Sequence, residues 1–122
     1  PNTVTTIGHE AFYCMGLTYI DIPRSVTNIG NEAFEGCRSL TKVVLSENLK
    51  SIGSASFKGC VSLQSVKLTD GLTMITFETF CDCEKLDSVY MSESVSEIGA
   101  SAFAGCSNLK NIKLSSNIKI PF

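Results

Sequence analysis

The sequence is poor in several features that mark common protein classes. It has one histidine, no N-x-Ser/Thr glycosylation motif, and no apolar run near the roughly 18 residues that a membrane-spanning helix needs. Its ten basic and twelve acidic residues give a net charge of -2, so it lacks the basic field that nucleic acid or an anionic membrane attracts. We therefore expect no membrane insertion and no nucleic-acid partner.

The first residues also lack the charged and apolar regions of a signal peptide. Because the chain begins with proline and not methionine, we expect a segment of a longer protein, and a targeting signal outside the segment is left open. The 122 residues, 43% of them hydrophobic, suffice for one modest core. A single domain covering 1–122 is expected.

The residue groups of common active sites and metal sites are missing as well. The sequence shows no paired carboxylates, no glycine-rich phosphate loop and no zinc-ligand spacing. His9 lies in a variable turn position, and no aligned feature suggests a cysteine or serine partner for a catalytic dyad, so we expect an exposed turn histidine. The sequence predicts no enzyme activity, no cofactor and no metal site.

What the sequence does contain is a repeat. Units of 23 residues follow one another over 26–48, 49–71, 72–94 and 95–117, and a unit one residue shorter covers 4–25. Such a period is typical of solenoids, in which each unit buries its apolar face against its neighbours. Each unit carries an opening apolar residue, an isoleucine, a phenylalanine and a leucine: Val4, Val26, Leu49, Leu72 and Val95; Ile7, Ile29, Ile52, Ile75 and Ile98; Phe12, Phe34, Phe57, Phe80 and Phe103; Leu17, Leu40, Leu63, Leu86 and Leu109.

The residues after each leucine predict a short strand. Apolar positions alternate in Leu40-x-x-Val43-x-Leu45, as in a strand with one buried face. Strands at equal positions of stacked units are expected to pair in register as a parallel sheet on one face of the coil, with few or no helices. The opening segment predicts a shorter second strand, followed by a tight turn where glycine tolerates a positive φ: Gly8, Gly30, Gly53 and Gly99.

The pattern Val-x-x-Ile-Gly-x-x-Ala-Phe-x-Gly-Cys-x-x-Leu-x-x-Val-x-Leu, from Val26 to Leu45, resembles the BspA-like, treponemal-type leucine-rich repeats. Five units match it over most of the chain. The resemblance implies a curved, right-handed solenoid without catalytic residues, and some members of the family are cell-surface adhesins or bind host matrix proteins. On this ground alone an extracellular or cell-surface location is favoured, with an intracellular assembly as the alternative.

Both ends of the sequence fit a longer array. Pro1-Asn2-Thr3-Val4 aligns with Pro23-Arg24-Ser25-Val26, and neither end shows the polar cap that terminal repeats usually need. Ile118 fits the start of a sixth unit, although Pro121 stands where isoleucine belongs. We expect the ends to contact further repeats or other chains.

Four of the six cysteines recur with the repeat, so they are predicted to form one buried structural ladder: Cys37, Cys60, Cys83 and Cys106. Cys14 is expected to join this ladder. Cys81 aligns with positions expected to face solvent, which predicts an exposed and reactive thiol. The Cys81-x-Cys83 pair has no second ligand pair, which argues against a metal site.

The outward positions of the predicted strands are the candidate binding residues, because stacking displays them as columns on one face. The columns vary in residue type, as a recognition surface and an ordinary solvated face both do, so both interpretations stay open. Tyr90 between two lysines and Tyr19 beside Lys42 favour an interface. One column is Asp21, Val44, Lys67, Tyr90 and Lys113, and its neighbour is Tyr19, Lys42, Ser65, Ser88 and Asn111.

The fourth unit departs most from the pattern. Thr76 and Asp82 replace glycines, and Phe77 stands in a turn position that is usually polar. Phe77 is a candidate partner contact, and a local distortion that tucks it against its neighbours is the alternative.

Two functions follow as hypotheses. The first is a non-catalytic interaction module that binds a protein or a glycan through the strand-lined face, with surface adhesion as one form of it. The second is a structural scaffold inside a cell or a large assembly.

Overall fold

The computed structural model describes residues 3–118, in which the chain coils through about five turns built from short parallel strands and tight turns. No α-helix occurs in this range. The stacked coils and their parallel strands confirm the predicted solenoid. Each turn of the coil has one strand of two residues and one of three. The strands are β1 (Thr6–Ile7), β2 (Tyr19–Asp21), β3 (Asn28–Ile29), β4 (Lys42–Val44), β5 (Ser51–Ile52), β6 (Ser65–Lys67), β7 (Met74–Ile75), β8 (Ser88–Tyr90), β9 (Glu97–Ile98) and β10 (Asn111–Lys113).

The three-residue strands form one five-stranded parallel sheet in the order β10-β8-β6-β4-β2. The register is that of the sequence repeat: Ile20 lies opposite Val43, and Val66 opposite Val89. The middle residue of each strand points inward, and Val43, Val66 and Val89 are buried. The two flanking residues therefore face outward, since side chains alternate along a strand.

A third row of hydrogen bonds joins the coils on the side that carries the phenylalanines. The amides of the first four phenylalanines of the column donate to a carbonyl of the next coil, as from Phe34 to Ser56 (2.8 Å) and from Phe57 to Thr79 (2.9 Å). This spacing stacks the five phenylalanine rings, with centroids 5.1 to 5.6 Å apart. The inner three rings are fully buried, so the column is the centre of the core: Phe34, Phe57 and Phe80.

Isoleucine and leucine columns complete the core beside the phenylalanines. Leu40, Leu63 and Leu86 have no exposed surface, and Ile29, Ile52 and Ile75 are buried in a row. In the outer coils Ile7 is buried, whereas Leu17, Ile98 and Leu109 are partly exposed, because one side of each outer coil has no described neighbour. Ile118 also packs against this core, and its place at the start of a further unit stays a prediction. Pro1 and Pro121, also used in aligning the ends, lie outside the described residues.

The prediction that the glycine after each short strand adopts a positive φ was wrong. The left-handed residues of each coil lie elsewhere, at Glu32 and Gly36 in the second unit and at Ala55 and Gly59 in the third. Gly30 and Gly99 are needed for another reason: a Cβ on either would lie 2.7 Å from backbone of the preceding coil. Glycine at this position therefore permits close stacking, not an unusual turn.

Thr76 shows the effect of a side chain at that position. The short strands form two separate sheets, β1-β3-β5 and β7-β9, and the break falls between Ile52 and Thr76. In neighbouring coils the glycine amide donates to the isoleucine carbonyl, as from Gly53 to Ile29 (2.7 Å). The Thr76 hydroxyl instead donates to the Ile52 carbonyl at 3.0 Å. The hydroxyl thus bonds the Ile52 carbonyl, which has no backbone donor from the next coil at this junction.

Ser56 occupies the small position before the buried phenylalanine, where Ala33 and Ala102 stand in other units. The residue is fully buried, and its hydroxyl has no hydrogen-bond partner, whereas the hydroxyl of the equivalent Thr79 donates to the Thr76 carbonyl. Burying an unpaired hydroxyl costs about 1–3 kcal/mol.

We expect Ser56→Ala to raise the free energy of unfolding by about 1 kcal/mol, because it removes this unpaired group and alanine already fits the position. Urea denaturation followed by circular dichroism measures the change. Thr79→Ala is the matched control and is expected to destabilise the chain, since its hydroxyl is bonded. A loss of stability in Ser56→Ala contradicts the interpretation.

Candidate functional site

The strand-lined face presents the predicted columns in register. Tyr19 lies opposite Lys42, Asp21 opposite Val44, and Lys67 opposite Tyr90, which in turn lies opposite Lys113. All seven of these side chains are exposed, and about half of the surface of each tyrosine is accessible (51% for Tyr19, 55% for Tyr90). The geometry thus places the predicted residues on one surface, and their role in binding stays a prediction.

Six residues of the two predicted columns line a common depression: Lys67, Tyr90, Lys113, Ser65, Ser88 and Asn111. It has a volume of about 830 Å³ and lies over β6, β8 and β10, where Tyr90 stands between Lys67 and Lys113. The Lys113 ammonium lies 5.5 Å from the centre of the Tyr90 ring, within the range of a cation–π contact. Tyr19, Asp21, Lys42 and Val44 lie on the same sheet but outside this depression.

One lysine of the depression was missed by the sequence analysis. Lys110 lines it and directly precedes β10, one position before the column that ends in Asn111. The signal was available, because the same position in the other units is held by uncharged residues or by Asp87. Lys110 precedes the strand, so the alternation of strand residues did not select it. Ser65, Ser88 and Asn111 supply a polar row along the depression.

Two carboxylates close to β8 in the sequence, Asp87 and Glu93, accept hydrogen bonds and do not line the depression. Asp87 accepts a hydrogen bond from the Ser88 hydroxyl at 2.6 Å. Glu93 accepts from the Ser116 amide at 2.8 Å and from the hydroxyls of Ser115 and Ser116. The Ser116 bonds, with help from Ser115 and the charge of Lys113, hold the pKa of Glu93 below its usual value. The lining itself carries three lysines and no acid.

Phe77 lies apart from this face, in the turn after the short strand β7. Half of its surface is exposed (50%), so the ring is not enclosed by its neighbours. Its carbonyl accepts the Ala55 amide at 2.9 Å, which keeps the turn in the regular coil. The role of Phe77 as a partner contact stays a prediction.

The cysteine ladder is structural, as predicted. Each thiol donates to the carbonyl of a phenylalanine in the preceding coil, as from Cys60 to Phe34 and from Cys83 to Phe57, both at 3.2 Å. Burial raises the pKa of both thiols, and the neighbouring cysteines of the ladder add to the rise. These groups therefore stay protonated and unreactive in the folded chain.

Two cysteine predictions were wrong. Cys14 takes the left-handed position that Gly36 holds in the next unit, and Met15 takes the ladder position, because the missing residue of the first unit falls after Met15. Cys14 is exposed. Cys81 is buried (7% exposed), and burial, followed by the charge of Asp82, raises the pKa of its thiol. The structure thus places the Cys81 thiol in a buried position that disfavours the thiolate, contrary to the prediction.

His9 is exposed, as predicted, but stacking brings it beside two acids. His9 Nε2 lies 3.3 Å from Glu10 Oε1, and His9 Nδ1 lies 3.7 Å from Glu32 Oε1. These are the ligand types of a cation site, although all three side chains are well solvated (60%, 46% and 37% exposed). Sequence spacing hid the group, since His9 and Glu32 come from successive coils.

The comparisons with known proteins agree with this geometry. A model of the BspA type leucine rich repeat region matches residues 5–121 in six copies. No curated protein is significantly similar to the chain. No helix within residues 3–118 has the length and apolar character required to cross a bilayer.

Several solved structures share the coil. A leucine rich cell surface protein of Faecalibacterium prausnitzii is 36% identical with a TM-score of 0.89, and the alignment covers 93% of this chain and 30% of that one. A leucine rich repeat protein of T. pallidum is 35% identical with a TM-score of 0.88, over 92% of this chain and 53% of that one. A Bacteroides ovatus leucine-rich repeat protein is 27% identical with a TM-score of 0.81, over 98% and 37%.

This chain thus spans about a third to a half of the length of these relatives. The match to the family model and the shared coil lead to one conclusion: the chain belongs to the BspA-type leucine-rich repeat family.

Proposed function

We propose that the chain is a non-catalytic interaction module, displayed outside the cell, that binds a macromolecular partner through its strand-lined face. The observation that carries the proposal is the depression over β6, β8 and β10, where Tyr90 stands exposed between Lys67 and Lys113. Tyrosine is among the residue types that most often anchor interfaces, and the flanking lysines add positive charge for attracting a partner.

The rigidity of the face supports the proposal. The strands of the sheet are hydrogen-bonded to their neighbours, and Val43, Val66 and Val89 anchor the three inner strands in the core, so the outward side chains of these strands start from a fixed backbone. A preformed surface loses little conformational entropy on binding. The description of the F. prausnitzii relative as a cell surface protein supports display outside the cell.

Replacing both Tyr90 and Lys67 by alanine tests the use of this face. We expect the double variant to keep its circular dichroism spectrum and unfolding midpoint, because both side chains are exposed, while capture of partners from the native source falls by at least about tenfold. Mass spectrometry of the captured material gives the measurement.

Arg24→Ala combined with Lys50→Ala is the matched control, because these exposed residues lie on another part of the surface. Capture by this control is expected to equal that of the unchanged chain. If a folded Tyr90→Ala, Lys67→Ala variant captures partners as well as the unchanged chain does, the result contradicts the proposal and favours a scaffold held by other surfaces.

A further inference from the structure

The spacing of charge across the face points to the chemistry of the partner. Lys67, Tyr90 and Lys113 occupy one register position on three adjacent strands. Neighbouring strands lie about 4.8 Å apart, so the backbones that carry the two lysines are roughly 9.6 Å apart with the aromatic ring between them. A partner that contacts all three must run across the strands.

The depression is positive within a chain of net negative charge. Its lining carries Lys67, Lys110 and Lys113 and no carboxylate, although the whole chain has a charge of -2. The adjacent acids, Asp87 and Glu93, lie outside the lining, and the serine hydrogen bonds described above orient their carboxylates without removing the charge. A partner with negative charges is therefore attracted to this part of the face and not to the chain as a whole.

The exposed groups of the depression suit a sugar chain. Its inward residues Val66 and Val89 are buried in the core, and the third inward residue, Ile112, is 38% exposed on the edge strand β10. Between the lysines the exposed groups are a flat aromatic ring and a polar row, which match the C–H face and the hydroxyls of a sugar.

We propose that the face over β6, β8 and β10 binds an anionic polysaccharide that runs across the three strands, with one sugar ring on Tyr90 and acidic groups on Lys67 and Lys113. This assignment rests on the proposed function, because it names the partner of the same face. The recognised chemistry is a linear sugar polymer that carries carboxylates or sulfates. Lys110, at the start of β10, adds a third cation near the path of the polymer.

Binding to immobilised polygalacturonate and heparin tests the proposal, with neutral dextran and poly-glutamate as comparison surfaces. We expect the folded chain to bind polygalacturonate or heparin and neither dextran nor poly-glutamate. Lys67→Gln combined with Lys113→Gln is expected to weaken this binding about tenfold, since each exposed ion pair contributes a small factor. Raising the salt concentration is expected to weaken binding by the unchanged chain.

Two sets of controls separate this site from general charge. Lys50→Gln combined with Lys85→Gln removes the same charge from exposed positions outside the depression and is expected to leave the affinity within about twofold. Tyr90→Leu is expected to weaken binding, and Tyr90→Phe to retain it, because phenylalanine keeps the ring.

Three results overturn the proposal: no binding to either acidic polysaccharide, equal losses in the two charge-matched double variants, or binding to poly-glutamate that is as strong as binding to the polysaccharides. The last result identifies an acidic polypeptide as the partner. If both polysaccharides fail while the Tyr90→Ala, Lys67→Ala variant still loses its captured partners, the proposed function stands and only this assignment falls.

Discussion

Phe57→Ala is expected to lower the free energy of unfolding by about 3–5 kcal/mol, which is enough to unfold much of a small chain. Phe57 is fully buried and stacks on two rings, at 5.1 Å from Phe34 and 5.6 Å from Phe80. The substitution removes the central ring of the column and leaves a cavity that rigid neighbouring coils cannot close. Urea denaturation followed by far-ultraviolet circular dichroism measures the loss.

Phe77→Ala is the matched control, because it makes the same chemical change at a ring that is 50% exposed. We expect it to cost less than about 1 kcal/mol, as surface substitutions usually do. If Phe57→Ala does not fold, Phe57→Leu fills part of the cavity and gives a measurable loss. Equal losses for Phe57→Ala and Phe77→Ala contradict the assignment of the phenylalanine column as the core.

Gly53→Ala is the second substitution with a large expected effect, at about 1–3 kcal/mol of destabilisation. Its Cβ would lie 2.5 Å from the carbonyl carbon of Gly30 in the preceding coil. The obstructing atoms are backbone and belong to a hydrogen-bonded strand end, so relief requires the two coils to separate. Thermal unfolding and amide hydrogen exchange at Ile29 and Ile52 measure the loss of pairing.

The same substitution at Gly8 provides the control. Gly8 occupies the equivalent position in the first unit, yet a Cβ there meets no atom within 4 Å. We expect Gly8→Ala to leave stability unchanged or to raise it by about 0.4–1 kcal/mol, because alanine restricts the unfolded chain. Similar losses at both glycines indicate that turn conformation matters more than contact between coils.

The fold was predictable from the sequence because its determinants recur. An apolar residue that returns at every unit has only one way to be buried along the whole array, which is to stack on its copies, and Ile29, Ile52 and Ile75 do so. The alternating residues of the long strands then fix which side chains face outward. Fold class, strand positions and the columns of the face all follow from these two periodicities.

The failures concern distances that a pattern does not contain. The approach of the Gly30 backbone to the preceding coil depends on how closely the coils stack, so the sequence suggested a turn conformation instead. Cys81 was expected to be exposed because it aligns with Glu35 and Lys58, but those long side chains reach solvent from a half-buried position and a short thiol does not. Cys14 was misplaced because the position of a deletion is ambiguous in sequence.

The candidate site was predictable only in part. Which residues face outward was available from the alternation, but the gathering of Lys67, Lys110 and Lys113 around one tyrosine depends on the order of the units. A repeat makes every column equivalent in geometry and leaves chemistry to the residues that vary. Binding residues are therefore predicted from positions that differ between units, and core residues from positions that are the same in every unit.

Thr76 stands where the third and fourth coils meet, and one of the three hydrogen-bonded rows is interrupted there. The five-stranded sheet and the phenylalanine row continue across this junction, whereas in the row of short strands a bond from the Thr76 hydroxyl replaces the backbone ladder. In a chain whose stability is a sum of contacts between adjacent units, the loss of these backbone bonds weakens the coupling at this junction. We therefore expect partial opening of the array to start there, which amide hydrogen exchange on either side of Thr76 measures.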